Sequence, residues 1–336
     1  MNSSNRNPNL SETLSPCHKV RSSCRAFWTT HVHNNNNNDN NKKRCSVKIH
    51  KDKLKELADS IVDKIQTQIK TQVFAPWDEG GCHYVGIGIG IGIEEAEEEL
   101  EREFSSYRAE CVALYVLTLD ALNFCFWPTP NGEKIPYEHL AVALKVLAER
   151  WEDGVLSSSS SSGRSAWEEF PFTARNLSTL TEAQFLKDLN STKCFSVMLP
   201  DMSERCRLLN ELGQGLLEHH NGSALDMIRK ANRSASRLSS IIVNTFAGFQ
   251  DSCIDPLTGK QLFFYKRAQI AVADLWAAFQ CIGLQEDKNP CLFHDIESIT
   301  TFAVSNSTLF VLITRNSNKY IFRTIVFRKY CDIMAC

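Results

Sequence analysis

No apolar run in this 336-residue chain is long enough to cross a membrane as a helix, which takes roughly 18 residues. The longest candidate, Leu309–Ile313, falls far short. The N-terminus has no signal-peptide apolar core, so the expected compartment is reducing and the 13 cysteines are expected as thiols. They form no C-x-x-C pair, so neither a zinc module nor a disulfide framework is indicated. No sign of charge dominates either. Lys+Arg is 37 and Asp+Glu is 39, a net charge of −2. Such a balance argues against holding a polyanion by bulk electrostatics. G-x-x-x-x-G-K-[ST], H-E-x-x-H and G-x-S-x-G are all absent.

Hydrophobic residues at 43% and charged residues at 23% are ordinary for a globular chain. Residues 1–50 are polar and hold the Asn34–Asn38 run, which reads as a largely disordered segment. They carry eight Lys/Arg against Glu12 and Asp39. That bias suits a transit peptide, while the asparagines suit a cytoplasmic tail; the cytoplasm is the expected location.

Apolar steps at Leu54, Leu57, Ile61, Ile65, Ile69 and Val73 predict a helix stopped by Pro76. The Gly86–Ile93 repeat lacks the helix turn of a dinucleotide loop. Seven acids between Glu94 and Glu103 would repel phosphate and read as a solvated helix face. Further helices are expected over 107–127, 137–152, 180–189, from Ser203 past Leu216, from Ser223 through Ile242, and over 266–279. Gly222 serves as a turn, and Asp255–Gly259 forms another. Ser157–Ser162 reads as a linker. After Ala303 the chain becomes β-branched and basic, a non-helical tail.

Three stretches could carry chemistry. Asp120 and Asn123 interrupt an apolar helix beside Phe126 and Trp127. Buried polar groups need partners, so this pair either ties helices together or faces a ligand. Lys266, Gln269 and Asp274 punctuate another apolar helix. Lys266 and Gln269 share a face, with Asp274 on another azimuth. A cation and a carboxylate can form a plain salt bridge, or can serve glycosidic bond cleavage. Third, His83 lies in a loop with Trp77 and Tyr84. A lone histidine is more often incidental. His219-His220 at a helix end is explained by cation–dipole attraction.

Four segments in order resemble one family: Leu119–Trp127, Arg207–Gly213, Tyr265–Gln269 with Ala273–Trp276, and Asp295–Ala303. Over residues 15–25 and 45–303 the chain resembles the queuosine salvage protein family, the queuosine 5′-phosphate N-glycosylase/hydrolases. The resemblance implies a mostly α-helical domain over 51–303, bundle-like and similar to helix-hairpin-helix DNA glycosylases. It implies hydrolysis of the N-glycosidic bond of queuosine 5′-phosphate to release queuine. No metal or cofactor is implied. The partner is the small-molecule substrate, with no membrane and no direct nucleic-acid contact. His83 matches a queuine-contacting position. Asn123, Phe126, Trp127, Asp274 and Phe302 would bind substrate, and Lys266 would support the reacting end. The family's catalytic Asp corresponds to Val304, and the tail at 304–336 departs from the family's helical pattern. The chain is therefore expected to be catalytically impaired. Asp295 and Glu297 are the carboxylates that could stand in. The alternative readings are a non-catalytic queuine-binding relative and a nucleic-acid-binding helical module.

Overall fold

A computed structural model describes residues 15–28, 59, 81, 83, 98–127, 129, 131–157, 169–255, 258–281, 288–300, 314–316 and 319–321. The described part is mostly helical, as expected. Its helices are α1 (Pro16–Trp28), α2 (Glu98–Ala121), α3 (Tyr137–Ser157), α4 (Ala174–Ser178), α5 (Glu182–Ser191), α6 (Met202–His219), α7 (Ala224–Lys230), α8 (Ala235–Thr245) and α9 (Lys266–Cys281). Strands β1 (Ser252–Ile254) and β2 (Gln261–Phe263) pair antiparallel, with Cys253 opposite Leu262. In the tail, β3 (Thr314–Asn316) and β4 (Lys319–Ile321) pair the same way, so what is described there is non-helical. Apart from Asp59, and from Ser157, which ends α3, the expected helix over 54–73, the Gly86–Ile93 repeat and the serine linker lie outside the described residues.

The centre of the fold is α2. Every residue from Ala109 to Leu122 is buried. A helix apolar all round must be covered all round, and α3, α6, α7 and α9 pack against it. Glu110, one of its buried polar residues with Thr118 and Asp120, has a structural task. Its carboxylate accepts bonds from Ser223 Oγ and from the backbone N–H groups of Ala224 and Leu225, at 2.6–2.9 Å. These are orphan donors at the start of α7, so one side chain joins two helices.

Capping explains most boundaries. Ser15 precedes Pro16, the first residue of α1, and its Oγ accepts the His18 N–H at 3.3 Å. Thr181 accepts from Gln184 N at 3.2 Å, which starts α5 as its Thr-x-x-Gln signal foretold. The glutamine side chain does not close the reciprocal bond. It turns to Asp188 instead, at 2.7 Å.

Two helix expectations need correction. Residues 223–242 form not one helix but two. Asn232 and Arg233 take φ of 51° and 56°, left-handed values that end α7. Ser234 then caps α8. The break escapes the apolar periodicity because Leu225, Ile228, Ala231, Ala235 and Leu238 keep helical spacing across it. The helix expected over 107–127 ends at Ala121, for reasons that belong to the site. Within the first fifty residues, read as a polar tail, α1 is an ordered helix. Arg21 on α1 donates to the carbonyls of Glu297 and Ser298 at 3.1 and 2.7 Å.

The Arg207–Gly213 segment has a packing explanation at nearly every residue. Asn210 donates to the carbonyls of Leu177 and Leu180 at 2.7 and 3.0 Å, closing the end of α4. Glu211 accepts from Gly248 N at 2.6 Å and pairs with Arg207 at 2.9 Å. Gly213 lies where α4 crosses α6. A Cβ there would overlap the backbone of Ala174, Leu177 and Ser178. Gly213→Ala is expected to destabilise by about 2–3 kcal/mol through that overlap, a loss that urea unfolding would measure.

Candidate functional site

The site is built where α2 ends. Its last turns carry Asp120, and the chain then runs irregularly through Asn123, Phe124, Cys125, Phe126 and Trp127, with Cys125 at φ 44°. Two arginines hold this loop. Arg205 on α6 is fully buried and donates to the carbonyls of Leu122, Phe124 and Cys125 at 2.7, 2.7 and 2.5 Å. Its Nε donates to the carbonyl of Pro200 at 2.8 Å. Arg267 on α9 donates to the carbonyl of Ala121 at 2.9 Å and to that of Gly248. The two guanidinium groups lie 4.5 and 5.1 Å from the Phe124 ring centroid. At the end of α2 the carbonyls of Leu119 and Asp120 close on the N–H groups of Leu122 and Asn123, while that of Ala121 and those of Leu122, Phe124 and Cys125 just beyond it take cations in place of further helix. Nothing in the spacing of Arg205 or Arg267 signals this, since each reads as an ordinary helix-surface residue.

Asp120 has no exposed surface. Neither of its oxygens reaches full hydrogen-bond geometry with a described donor, although the Asn123 side chain is close enough to favour the charged form. Burial pushes this carboxyl well above the ordinary carboxylate range, and the like charge of Asp274 adds to it. Asn123, Lys266 and Arg267 pull in the opposite direction. The first half of α9 therefore faces the last turn of α2, with both Lys266 and Asp274 acting on Asp120. Asp251 anchors the start of α9, accepting from Lys266 N at 2.8 Å. Burial raises its carboxyl too.

The aromatic side of the site is continuous with this loop. The Phe126 ring stands edge-on to Tyr137 at 5.8 Å, and His83 stands edge-on to the same tyrosine at 5.3 Å. Phe126 also lies 5.4 Å from the Arg205 guanidinium. Lys145 on α3 donates to the carbonyl of Gly81 at 3.3 Å, holding the segment that carries His83 against α3. Tyr137, the residue that joins His83 to Phe126, is not among the sequence candidates.

Among those candidates, Asn123, Lys266 and Asp274 gather around Asp120, while His83 and Phe126 meet at Tyr137. Trp127 is 55% exposed at the outer end of the loop. Phe302 and Val304 lie outside the described residues. The approach to them is described: Thr300 donates from both N and Oγ1 to Gln269 Oε1 at 2.8 Å. Buried Gln269 thus fixes the chain beside α9 two residues before Phe302. Asp295 is not a spare carboxylate. It accepts from Ser234 Oγ, Ala235 N and Ser236 N at 2.9, 2.6 and 3.2 Å, capping α8. Moving it would leave those donors unpaired.

The two buried histidines among the described residues are neutral. Burial takes His83 down to about 4. Burial, with Lys230 and His219 beside it, takes His220 down to about 4. Lys230 donates to His220 Nδ1 at 3.1 Å, so the proton sits on Nε2, which donates to Thr245 Oγ1 at 3.2 Å. Lys230 also donates to the carbonyl of His219 at 2.6 Å. The cation at the end of α6 is therefore Lys230, and the expectation of a charged His220 there is corrected. A histidine that binds its proton less tightly folded than unfolded contributes stability that is lost as pH falls from about 6.5 toward 4. His220→Gln is expected to flatten that acid limb by on the order of 2 kcal/mol, read from urea unfolding at stepped pH.

No group of three or more His, Cys, Asp or Glu among the described residues could hold a metal ion. No described helix is long and apolar enough to cross a membrane.

The sequence profile of the family described as queuosine salvage protein matches residues 104–309, from α2 to beyond Phe302. The chain belongs to that family. A Dictyostelium discoideum protein named queuosine 5′-phosphate N-glycosylase/hydrolase is 35% identical over 259 residues, which is 76% of this chain and 65% of the relative. Relatives of the same name from Mus musculus and Sphaerobacter thermophilus are 32% and 34% identical, covering 56% and 58% of this chain. The chain spans just under two thirds of the Dictyostelium protein, 65%, and about half of the other two, 51% and 53%. The family match includes α2, α6 and α9, the three helices whose ends meet at Asp120 and the loop after it.

Proposed function

We propose that the chain is a hydrolase of the N-glycosidic bond of queuosine 5′-phosphate, releasing queuine for reinsertion into tRNA. The name borne by its relatives supports this reading. The observation that carries it is the meeting of Asp120 and Asn123, at the end of α2, with Lys266 and Asp274 on α9. Carboxylates and a cation in a water-poor site suit a reaction in which positive charge grows on a sugar while the base departs. The loop after Asp120 carries Phe126 toward Tyr137 and His83, a set of flat and edge-binding groups suited to a heterocycle. His83, neutral at pH 7, can accept or donate one hydrogen bond to the base edge. Asn123, Phe126, Trp127 and Phe302 complete the base side in this reading. Lys266 and Asp274 serve the reacting end, and the domain runs over 51–303, of the helix-hairpin-helix glycosylase kind.

We further propose that turnover by this chain is slow, because Val304 stands where the family resemblance places a catalytic Asp. A shallow salt dependence of queuine binding, with queuine release from queuosine 5′-phosphate at any rate above a no-protein control, supports the hydrolase reading. Queuine binding without release favours a non-catalytic relative. Binding of tRNA or DNA that weakens steeply with salt, without queuine binding, would replace both with a polymer-binding module.

A further inference from the structure

Tyr265 stands directly before Lys266, the first residue of α9, at a φ of 45°. A bulky residue with a left-handed backbone is an outlier, and it persists only where its surroundings over-determine it. It is also an unusual residue to open a helix. Ser, Thr, Asp or Asn at that place would accept an orphan N–H with its own side chain, which the rigid ring of Tyr265 cannot do. A residue remote in sequence supplies the acceptor instead. Asp251 Oδ2 accepts from Lys266 N at 2.8 Å, and the Asp251 carbonyl accepts from both Phe264 N and Tyr265 N at 3.1 Å. Asp251 Oδ1 is buried with no hydrogen-bond partner among the described residues, a cost that the fold carries at this position.

Gln269, one turn further along α9, holds the same turn from the other direction. It is buried, and its backbone N–H donates to the Tyr265 carbonyl at 3.0 Å. Its side-chain Nε2 donates to the Phe264 carbonyl at 3.0 Å, and its Oε1 accepts from both N and Oγ1 of Thr300 at 2.8 Å. Only an amide can be donor and acceptor at once in this way without a proton to spare. We propose that Asp251 and Gln269 are positioning residues, which hold the strained turn at Tyr265, and with it Lys266, and tie that turn to Thr300 as one hydrogen-bonded unit. A relaxed helix start needs a single cap. This one draws on two side chains and three separate segments, because the direction in which α9 sets out decides where Lys266 falls against α2, on which α9 packs. That Lys266 serves the reacting end rests on the glycosidase reading above; the hold on the turn does not.

Amide hydrogen exchange in the full chain tests the hold without substrate. Gln269→Leu should exchange about tenfold faster than wild type at Thr300 and also at Phe264–Lys266. Thr300→Val removes only the Oγ1 bond and is nearly isosteric, yet it should speed exchange at Phe264–Lys266 as well; it decides the matter if Gln269→Leu folds poorly. Asp251→Ala should loosen Phe264–Lys266, and Asp251→Asn, which retains an acceptor oxygen, should restore most of the protection. Queuine release then separates positioning from stability alone. Asp251→Ala and Gln269→Leu should lower kcat by about tenfold or more and leave KM within about twofold of wild type, with most of kcat recovered in Asp251→Asn. Unchanged exchange at Phe264–Lys266 in Thr300→Val, or an unchanged kcat in Asp251→Ala, overturns the proposal. No queuine release by the wild type counts against the hydrolase reading alone, and exchange then decides the proposal by itself.

Discussion

Arg205→Met is expected to lower the unfolding free energy by about 3–5 kcal/mol. Methionine keeps much of the apolar stem, so the loss reports the guanidinium. Four carbonyls, of Pro200, Leu122, Phe124 and Cys125, lose the guanidinium together, although that of Leu122 keeps the N–H of Phe124 at 2.8 Å. Each buried group left unpaired costs about 1–3 kcal/mol. Against this stands the relief of one buried charge, whose desolvation already draws the guanidinium down to about 10. The carbonyls outweigh that relief because they lie at the end of a helix that is buried on every side. The cation's contacts with Phe124 and Phe126, at 4.5 and 5.4 Å, are lost as well. Arg205→Lys should recover less than half of the loss, since an ammonium cannot fork to reach loop and Pro200 carbonyls at once. Urea unfolding at pH 7 measures both. An Arg205→Met protein within about 1 kcal/mol of wild type would mean that water replaces the guanidinium, and that the loop is not held as described.

The difference between what spacing reveals and what it conceals comes from the range of each interaction. Thr181 acts on a residue within a turn of itself, so its role is legible. So is the burial of α2, because an all-apolar run of that length has to be enclosed. Asp120 and Asn123 stand out as polar residues in apolar company, and the structure does place both at the site. Arg205 and Arg267 do not stand out, because each reaches a carbonyl 80 or more residues away in the chain. Asp295 misleads for the same reason. Its sequence neighbourhood suggests a stand-in carboxylate, while its real partners lie about 60 residues earlier, at the start of α8. Tyr137 escapes notice because an aromatic at a helix start has no distinctive pattern; only its two edge-on neighbours give it meaning.

Release of queuine by this chain is expected to be about 10²–10³-fold slower than by the Dictyostelium relative assayed alongside. In the transition state the sugar gains positive charge as the base leaves. A carboxylate held against that charge acts mainly in the transition state, and losing such a preorganised group carries a penalty of this size. Val304 has neither charge nor a hydrogen-bonding side chain. Asp295 cannot compensate, since three donors at the start of α8 hold it. Asp120 cannot either, being fully enclosed. Asp274 is half-buried and fixed on α9, and a misplacement of about 1 Å already costs on the order of 10²-fold. Gln269 fixes Thr300 beside α9, so the expected deficit is assigned to the residues beyond Ala303. Replacing residues 304–336 with the corresponding segment of the Dictyostelium protein should restore most of the rate. Val304→Asp alone should restore little, since the replaced carboxylate would stand in a tail whose described residues form a β pair rather than helix. Turnover by the unmodified chain within about tenfold of the relative would refute this expectation, and would require Asp274 or another carboxylate of this chain to stabilise the sugar directly.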